Sequence, residues 1–251
     1  MYPLNHTTLS LPSLHHLIKT GRFTNRSLHH TLHFYRLRWR GDLPGSLPLT
    51  VQGHGTVDPY WTYVSEVLSQ ATNLMAVVPV FNQFIAAFPT VTTLAIAQED
   101  TVVSTIASLG NSRQRGRHLK AAATIMVSSH GSQVPSTYED LLSLPGVGEY
   151  TARAVASIAF GVPIPLPPTE TNVRRVVSRL LGIPGDTPDG IRNMAVTTHL
   201  LATVPSLRPG DHNQALMEMG QRICLSRAPP LCTTCPLHDV CTTAMQQVLL
   251  P

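Results

Sequence analysis

The stretch LPGVGEYTARAVASIAF occupies residues 144–160. Gly146 and Gly148 flank Val147 in a turn that only small residues can make tightly. An alanine-rich run with strong helix propensity follows. Ahead of it, STYEDLLS (136–143) reads as a short helix, with Ser136 and Glu139 at capping-box spacing. Two helices joined by such a turn leave bare backbone N–H groups, those of Gly146, Val147 and Gly148, at the N-terminus of the second. That is an anion cradle suited to a phosphodiester. The plainer alternative is an ordinary glycine turn between packed helices. The capped helix, LPGVG and the alanine run occur together, which favours the cradle. Glycine and alanine side chains cannot read base edges, so the element positions a polyanion without reading it.

Outward from this stretch the pattern stays helical. Asp58-Pro59 pairs an N-cap with a proline at the first helical position. Phe81, Phe84, Ile85 and Phe88 recur at i, i+3, i+4 and i+7, one apolar stripe ending at Pro89. Further helices are predicted over 90–107, 114–129, 148–160, 171–181, 188–203 and 211–222, and one over 27–38 before the turn GDLPGSLP. No alternating strand and no repeat is present, so the fold class is all-α. The proline-rich GVPIPLPP (161–168) must be extended and reads as a crossing between two lobes.

All four cysteines fall near the C-terminus, as Cys224-x7-Cys232-x2-Cys235-x5-Cys241. Four clustered thiolates suit one 4Fe-4S cluster or one zinc. Disulfides fit less well, because an x2 loop would be strained and the chain shows no secretory signal. Structural zinc sites usually pair two short knuckles. Only one is present here, so the compact loop favours 4Fe-4S and zinc stays as the alternative.

At 251 residues with 43% apolar content, the chain can bury a core as one large or two small domains. No apolar run is long enough to span a bilayer. The formal charge is +4 and the pI near 9.1, compatible with a polyanion but weakly diagnostic. Asp42 is the first acidic residue; before it stand Lys19, Arg22, Arg26, Arg36, Arg38 and Arg40. This leader has two readings: an organelle transit peptide, or a basic tail that adds affinity for phosphates.

The motifs DPYWTYVSEVLSQAT, FPTVTTLA, SLGNSRQRGRHLKAAA, LPGVGEYTARAVASIAFG, TNVRRVVSRLLGI, HNQALMEMGQRIC and the cysteine loop stand in this order over roughly residues 30–245. In this they resemble the helix-hairpin-helix DNA glycosylases of the endonuclease III and MutY type. VSEVLSQAT and HNQALMEMG are most similar to the adenine-removing, MutY-like members. The resemblance implies two all-α lobes with double-stranded DNA across the cleft. A six-helix barrel would span 52–166, with the helix-hairpin-helix at 137–160. A second lobe would join 30–51 to 167–251 and carry the cluster loop, after a leader over 1–29. A monomer working inside the cell is expected: in cytoplasm or nucleoid, or in a eukaryotic nucleus or mitochondrion.

Site residues follow from the same resemblance. Glu66 falls on the family's general acid; protonating N7 of a flipped adenine makes it a better leaving group. Bifunctional members carry a Schiff-base lysine where this chain has Tyr150, and a phenol cannot form an imine. Asn172 matches a family asparagine. Glu170 stands where the family has an aspartate that steadies the cationic sugar and orients water. Gln70 matches a duplex-contacting glutamine, and Glu218 is placed in the base pocket. Arg113 and Arg115 are the favoured phosphate contacts within the run Arg113, Arg115, Arg117 and Lys120; Arg174, Arg175 and Arg179 form a second run.

The departures are specific. Glu170 is one methylene longer than aspartate. Wedge residues are replaced by Ala71 and within Gly110-Asn111-Ser112, and a family tryptophan is Gly45. The family's C-terminal domain that reads 8-oxoguanine is not matched. Three functions are therefore weighed. The first is a monofunctional glycosylase acting on a mispaired base, adenine foremost. The second is a DNA-binding relative without the chemistry. The third is a zinc-stabilised interaction protein.

Overall fold

The computed structural model describes residues 58–72, 74–164, 170–204 and 209–248. The leader, the predicted helix over 27–38, Gly45 and residues 165–168 of the proline stretch lie outside them. Among the described residues the structure is helical throughout, with no strand. No helix there is long and apolar enough to cross a membrane. The described chain divides into two compact units, 58–164 with 209–210, and 170–204 with 211–248.

The first unit begins with α1 (Pro59–Ser69). Asp58 caps it, accepting from Tyr60 N at 2.8 Å and Trp61 N at 3.0 Å, with Pro59 at the first position. Then come α2 (Leu74–Ala87), α3 (Val91–Ile96), α4 (Glu99–Thr105), α5 (Ser112–Ser129), α6 (Tyr138–Leu142) and α7 (Glu149–Ala159). Phe81, Phe84 and Phe88 are buried and Ile85 packs against them, as the stripe predicts. On α5, Leu119, Ala122, Ala123 and Met126 repeat at helical spacing and face α3 and α4. α1 packs on α2 and α7, and α6 on α7.

Two local expectations are corrected. Residues 90–107 form two helices. Thr90 and Thr93 make a reciprocal capping box for α3, which ends before an extended Ala97. Lys120 then reaches across from α5 and donates to Ala95 O at 2.9 Å and Ala97 O at 2.7 Å, satisfying the carbonyls freed by the break. The capping box expected at Ser136 and Glu139 does not form, and the cap lies one residue on. Thr137 caps α6, its Oγ1 accepting from Asp140 N at 3.2 Å and donating to Asp140 Oδ2 at 2.7 Å.

The second unit contains α8 (Thr171–Leu181), α9 (Asp189–Thr203), most of α10 (Pro209–Arg222) and α11 (Thr242–Val248). Val173, Val176, Val177, Leu180 and Leu181 form the buried stripe of α8, which packs on α9 and α11. Gly182 stops α8 in the left-handed region at φ 68°. A Cβ there would come within 2.5 Å of Thr242 Cγ2, so α11 sits close over this end.

Candidate active site and nucleic-acid interface

The glycine turn is held from behind. Gly146 adopts φ 77°, and a Cβ there would lie 2.6 Å from His118 Nδ1. Gly146 is thus required by the fold. Gly148, the N-cap of α7, has nothing within 4 Å of a built Cβ and is exposed. Val147 between them is buried, its N–H donating to Leu144 O at 3.1 Å. The open N-terminus of α7 at Gly148 and Glu149 is therefore the face a phosphodiester can approach.

Gln70 ties this turn to the end of α1. Its Nε2 donates to Gly146 O at 3.0 Å and Thr151 Oγ1 at 3.1 Å. Arg115 Nη2 in turn donates to Gln70 O at 2.7 Å and Thr72 Oγ1 at 3.3 Å. Arg115 is only 7% exposed, and burial lowers its pKa. This corrects the expectation of a phosphate contact: Arg115 faces inward and braces the turn after α1. Arg117 pairs with Glu99 at 2.9 Å, and Lys120 caps α3. Arg113 is exposed, with no partner among the described residues.

Between the Gln70–Ala71 turn, the start of α5 and the glycine turn lies a cavity of about 440 Å³. Its lining includes Ala71, Gly110 and Asn111, where the sequence departs from wedge residues. That loss was the one signal that could have found it.

Glu66 lies half-buried in the middle of α1, and Tyr150 half-buried in the first turn of α7. These two helices pack together, so the first unit brings both near its glycine turn. In the second unit Glu170 is the N-cap of α8. Its Oε2 accepts from Val173 N at 2.5 Å and its Oε1 from Asn172 Nδ2 at 3.1 Å. Glutamate is an uncommon cap, since shorter side chains reach these donors more easily. The extra methylene is absorbed by reaching the third helical N–H.

Arg175 continues the line. Its Nη2 donates to Asn172 Oδ1 at 2.8 Å and Gly220 O at 2.5 Å, and its Nε to Cys224 O at 2.7 Å. Burial is the main cause lowering its pKa. Gly220 lets α10 press onto α8, because a Cβ there would meet Asn172 Cβ at 2.6 Å. Sequence reasoning missed the roles of Arg175 and Gly220. Glu218 is half-buried on the same helix, α10.

The cysteine loop gathers at the far end of α8. Arg179 Nη1 donates to Cys224 Sγ at 3.3 Å and Leu225 O at 2.8 Å. Cys241 Sγ donates to Arg179 O at 3.5 Å. All four thiols are free and half-buried, so no disulfide forms. Burial pushes the Cys235 thiol up to about 11, and the other three cysteines add to the rise. Cys232 and Cys241 are raised by burial first and by neighbouring cysteines as well. Among the described residues, no three His, Cys, Asp or Glu side chains stand together in metal-ligand geometry.

Residues 64–197 match the model of the HhH-GPD superfamily base excision DNA repair proteins. The chain belongs to this superfamily. Members similar to it include the thymine-DNA glycosylase of Aeropyrum pernix, 32% identical over 212 residues, or 84% of this chain and 90% of that one. The adenine DNA glycosylase of Homo sapiens is 37% identical over 183 residues, 72% of this chain and 33% of that one. That of Mycolicibacterium smegmatis is 35% identical over 198 residues, 79% and 63%. The chain thus spans most of the first relative but less than two thirds of the two adenine glycosylases. Two solved structures superpose well on this fold. A thermostable thymine-DNA glycosylase gives a TM-score of 0.74 at 24% identity, over 91% of this chain and 99% of that one. A trapped endonuclease III–DNA covalent intermediate gives 0.67 at 22%, over 90% and 99%. The expected family and all-α fold are both borne out.

Proposed function

We propose that the chain is a monofunctional DNA glycosylase of base excision repair that hydrolyses the N-glycosidic bond of a mispaired base, foremost adenine. One observation carries this reading. In a member of this superfamily, the helix bearing Glu66 is tied through Gln70 to a glycine turn whose helix N-terminus is open to a phosphodiester. Similarity to adenine DNA glycosylases at 35–37% identity supports adenine. The thymine-DNA glycosylase relative makes thymine the competing base.

The chemistry divides between two carboxylates. Glu66 donates a proton to the flipped base, whose glycosidic bond breaks with the electron pair leaving on the base. The carboxylate of Glu170, steadied by Val173 N and Asn172 Nδ2, favours the cationic sugar. Water then adds at the anomeric carbon and gives up a proton to the Glu66 carboxylate, which is thereby restored to its acid form. Tyr150 offers no amine, so no covalent imine forms and the product is an intact abasic site. Glu218 belongs to the base pocket in this reading, and Arg113 to the phosphate contacts.

Cys224, Cys232, Cys235 and Cys241 would hold a 4Fe-4S cluster. Four free thiols on one loop, with Arg179 donating to Cys224, suit a thiolate-ligated centre. Such a centre, when bound, supplies a covalent brace and a redox couple. The protein acts as a monomer on double-stranded DNA within the cell.

The test is a single-turnover assay over a panel of mismatches, with alkali to reveal abasic sites. Strand scission after alkali at a mispaired adenine is expected. A second reading, a DNA-binding relative without chemistry, is favoured by one observation: both Glu170 oxygens already serve the end of α8. No base release from any mismatch, with duplex binding intact, would select it.

A further inference from the structure

The outward face of α9 is apolar where a surface helix ordinarily carries charge. Ile191, Met194 and Leu201 are 51%, 44% and 63% exposed. They share this face with exposed Gly190, Thr198 and Ala202, while Ala195, Val196, His199, Leu200 and Thr203 turn inward. Asp189 and Arg192 are the charged residues of this helix, and both are engaged elsewhere. Asp189 pairs with Arg174 at 3.2 Å, and Arg192 Nη2 donates to the carbonyls of Pro184, Gly185 and Thr187.

Three such side chains offer roughly 300 Å² of apolar surface, the size of patch that marks an interaction site. A second copy of the chain does not suit it, because a stable interface between separate molecules buries about 800 Å² on each side. A segment tethered to the same chain does, because its effective concentration offsets the small area.

Residues 1–57 precede the described structure, and within them the leader over 1–29 has no role in the chemistry above. Leu14, Leu17 and Ile18 stand at i, i+3 and i+4, with Ser13 before them as an N-cap and Gly21 after them as a stop. The pattern is one apolar stripe on a helix of about two turns, too short to hold in water without an apolar partner. Charge matches as well. Lys19 and Arg22 lie at the C-terminal end of the stripe, and no acidic residue precedes Asp42. Asp186 and Asp189 are exposed at the start of α9, and Asp186 has no ion-pair partner among the described residues. Laid antiparallel, the basic end of the leader meets the acidic end of α9. About 40 residues separate Ile18 from Asp58, and a coil of that length spans roughly 35 Å, more when extended.

We propose that residues 11–22 dock on the outward face of α9. Leu14, Leu17 and Ile18 cover Ile191, Met194 and Leu201, and Lys19 and Arg22 face Asp186 and Asp189. The leader then belongs to the second unit and is not a free basic tail.

The experiment is limited trypsin digestion of the full chain, with cleavage after Lys19 and Arg22 followed by mass spectrometry. Met194→Glu combined with Leu201→Glu should speed cleavage at least about tenfold, since cleavage tracks the undocked population. Helicity and melting of this variant are checked first. Should it fail to fold, Leu14→Glu combined with Leu17→Glu confines the change to the leader and must give the same acceleration. Charge exchange supplies a readout that general loosening would not move. Asp186→Lys should speed cleavage after Arg22 about threefold, and adding Lys19→Glu should restore it. Equal cleavage in wild type and every variant overturns the proposal. Protection that grows with protein concentration also overturns it, because a second copy is then the occupant.

Discussion

Arg175 donates from Nε to the carbonyl oxygen of Cys224 at 2.7 Å, and the same guanidinium holds Asn172 Oδ1. The start of α8, with its candidate carboxylate, is thereby joined to the first cysteine of the loop. Replacing Arg175 with Met should cost about 2–3 kcal/mol, since two buried carbonyls lose a charged donor. Thermal unfolding would measure this. Base release should fall, because Asn172 loses its anchor. Arg175→Lys should recover only part, as an ammonium cannot span both carbonyls.

Iron and acid-labile sulfide should be found together in the purified protein, with broad near-visible absorbance. Cys232→Ala should lose both and unfold the second unit at lower temperature, because cluster binding is linked to folding. One stoichiometric zinc in a colourless protein would instead favour the zinc alternative.

The two glycines of the turn should separate cleanly. Gly146→Val meets His118 and a left-handed backbone, and should destabilise by roughly 2–4 kcal/mol. Gly148→Leu has open space and an ordinary backbone, so its melting should hold. Its affinity for every duplex should drop by about tenfold, since the bulky side chain blocks the bare amides. Unchanged binding by Gly148→Leu would remove the turn from the interface.

Glu66→Gln should abolish base release while altering duplex affinity by less than about threefold, because a proton donor is lost and no charge contact to phosphate is made. Glu170→Asp is the finer probe. The present carboxylate is fixed by Val173 N and Asn172 Nδ2. Shortening it moves the oxygens by about 1 Å, a shift that can lower the rate about a hundredfold. A gain in rate would mark Glu170 as drifted from an aspartate site.

His199 is buried on α9, and burial lowers its pKa from 6.5 to about 4. The folded form therefore resists protonation more than the unfolded chain does. Its contribution is complete above pH 6.5 and is lost as pH falls through about 4, by about 3 kcal/mol in all. Chemical unfolding at pH 7 and pH 4.5 should show it, and His199→Gln should flatten the difference.

Local signals were legible and tertiary ones were not. Asp58-Pro59 marks the start of α1, and residues 171–181 match α8 end to end, because caps and stripes sit within the segment itself. The break after Ile96 depends on Lys120, which is distant in the chain. Arg113 and Arg115 read alike in a charge run, yet only the structure shows one exposed and one buried. Gly220 looked like any helix glycine until α10 was seen pressed on Asn172. Glu170 was recognised as a carboxylate in place; that it caps a helix emerged only from its distances.

Internal engagement of the cations has a kinetic consequence. Arg115, Arg117, Lys120, Arg175 and Arg179 each hold protein groups, and Arg174 pairs with Asp189 at 3.2 Å. Few cationic side chains in the described residues are left unengaged to make direct contacts with the phosphates of undamaged duplex. Binding there should weaken with salt along a shallow slope, near one counterion per free cation. Encounters with intact DNA would then be brief, and scanning would proceed by short hops rather than long slides. Long dwell would be reserved for the rare nucleotide that can leave the stack.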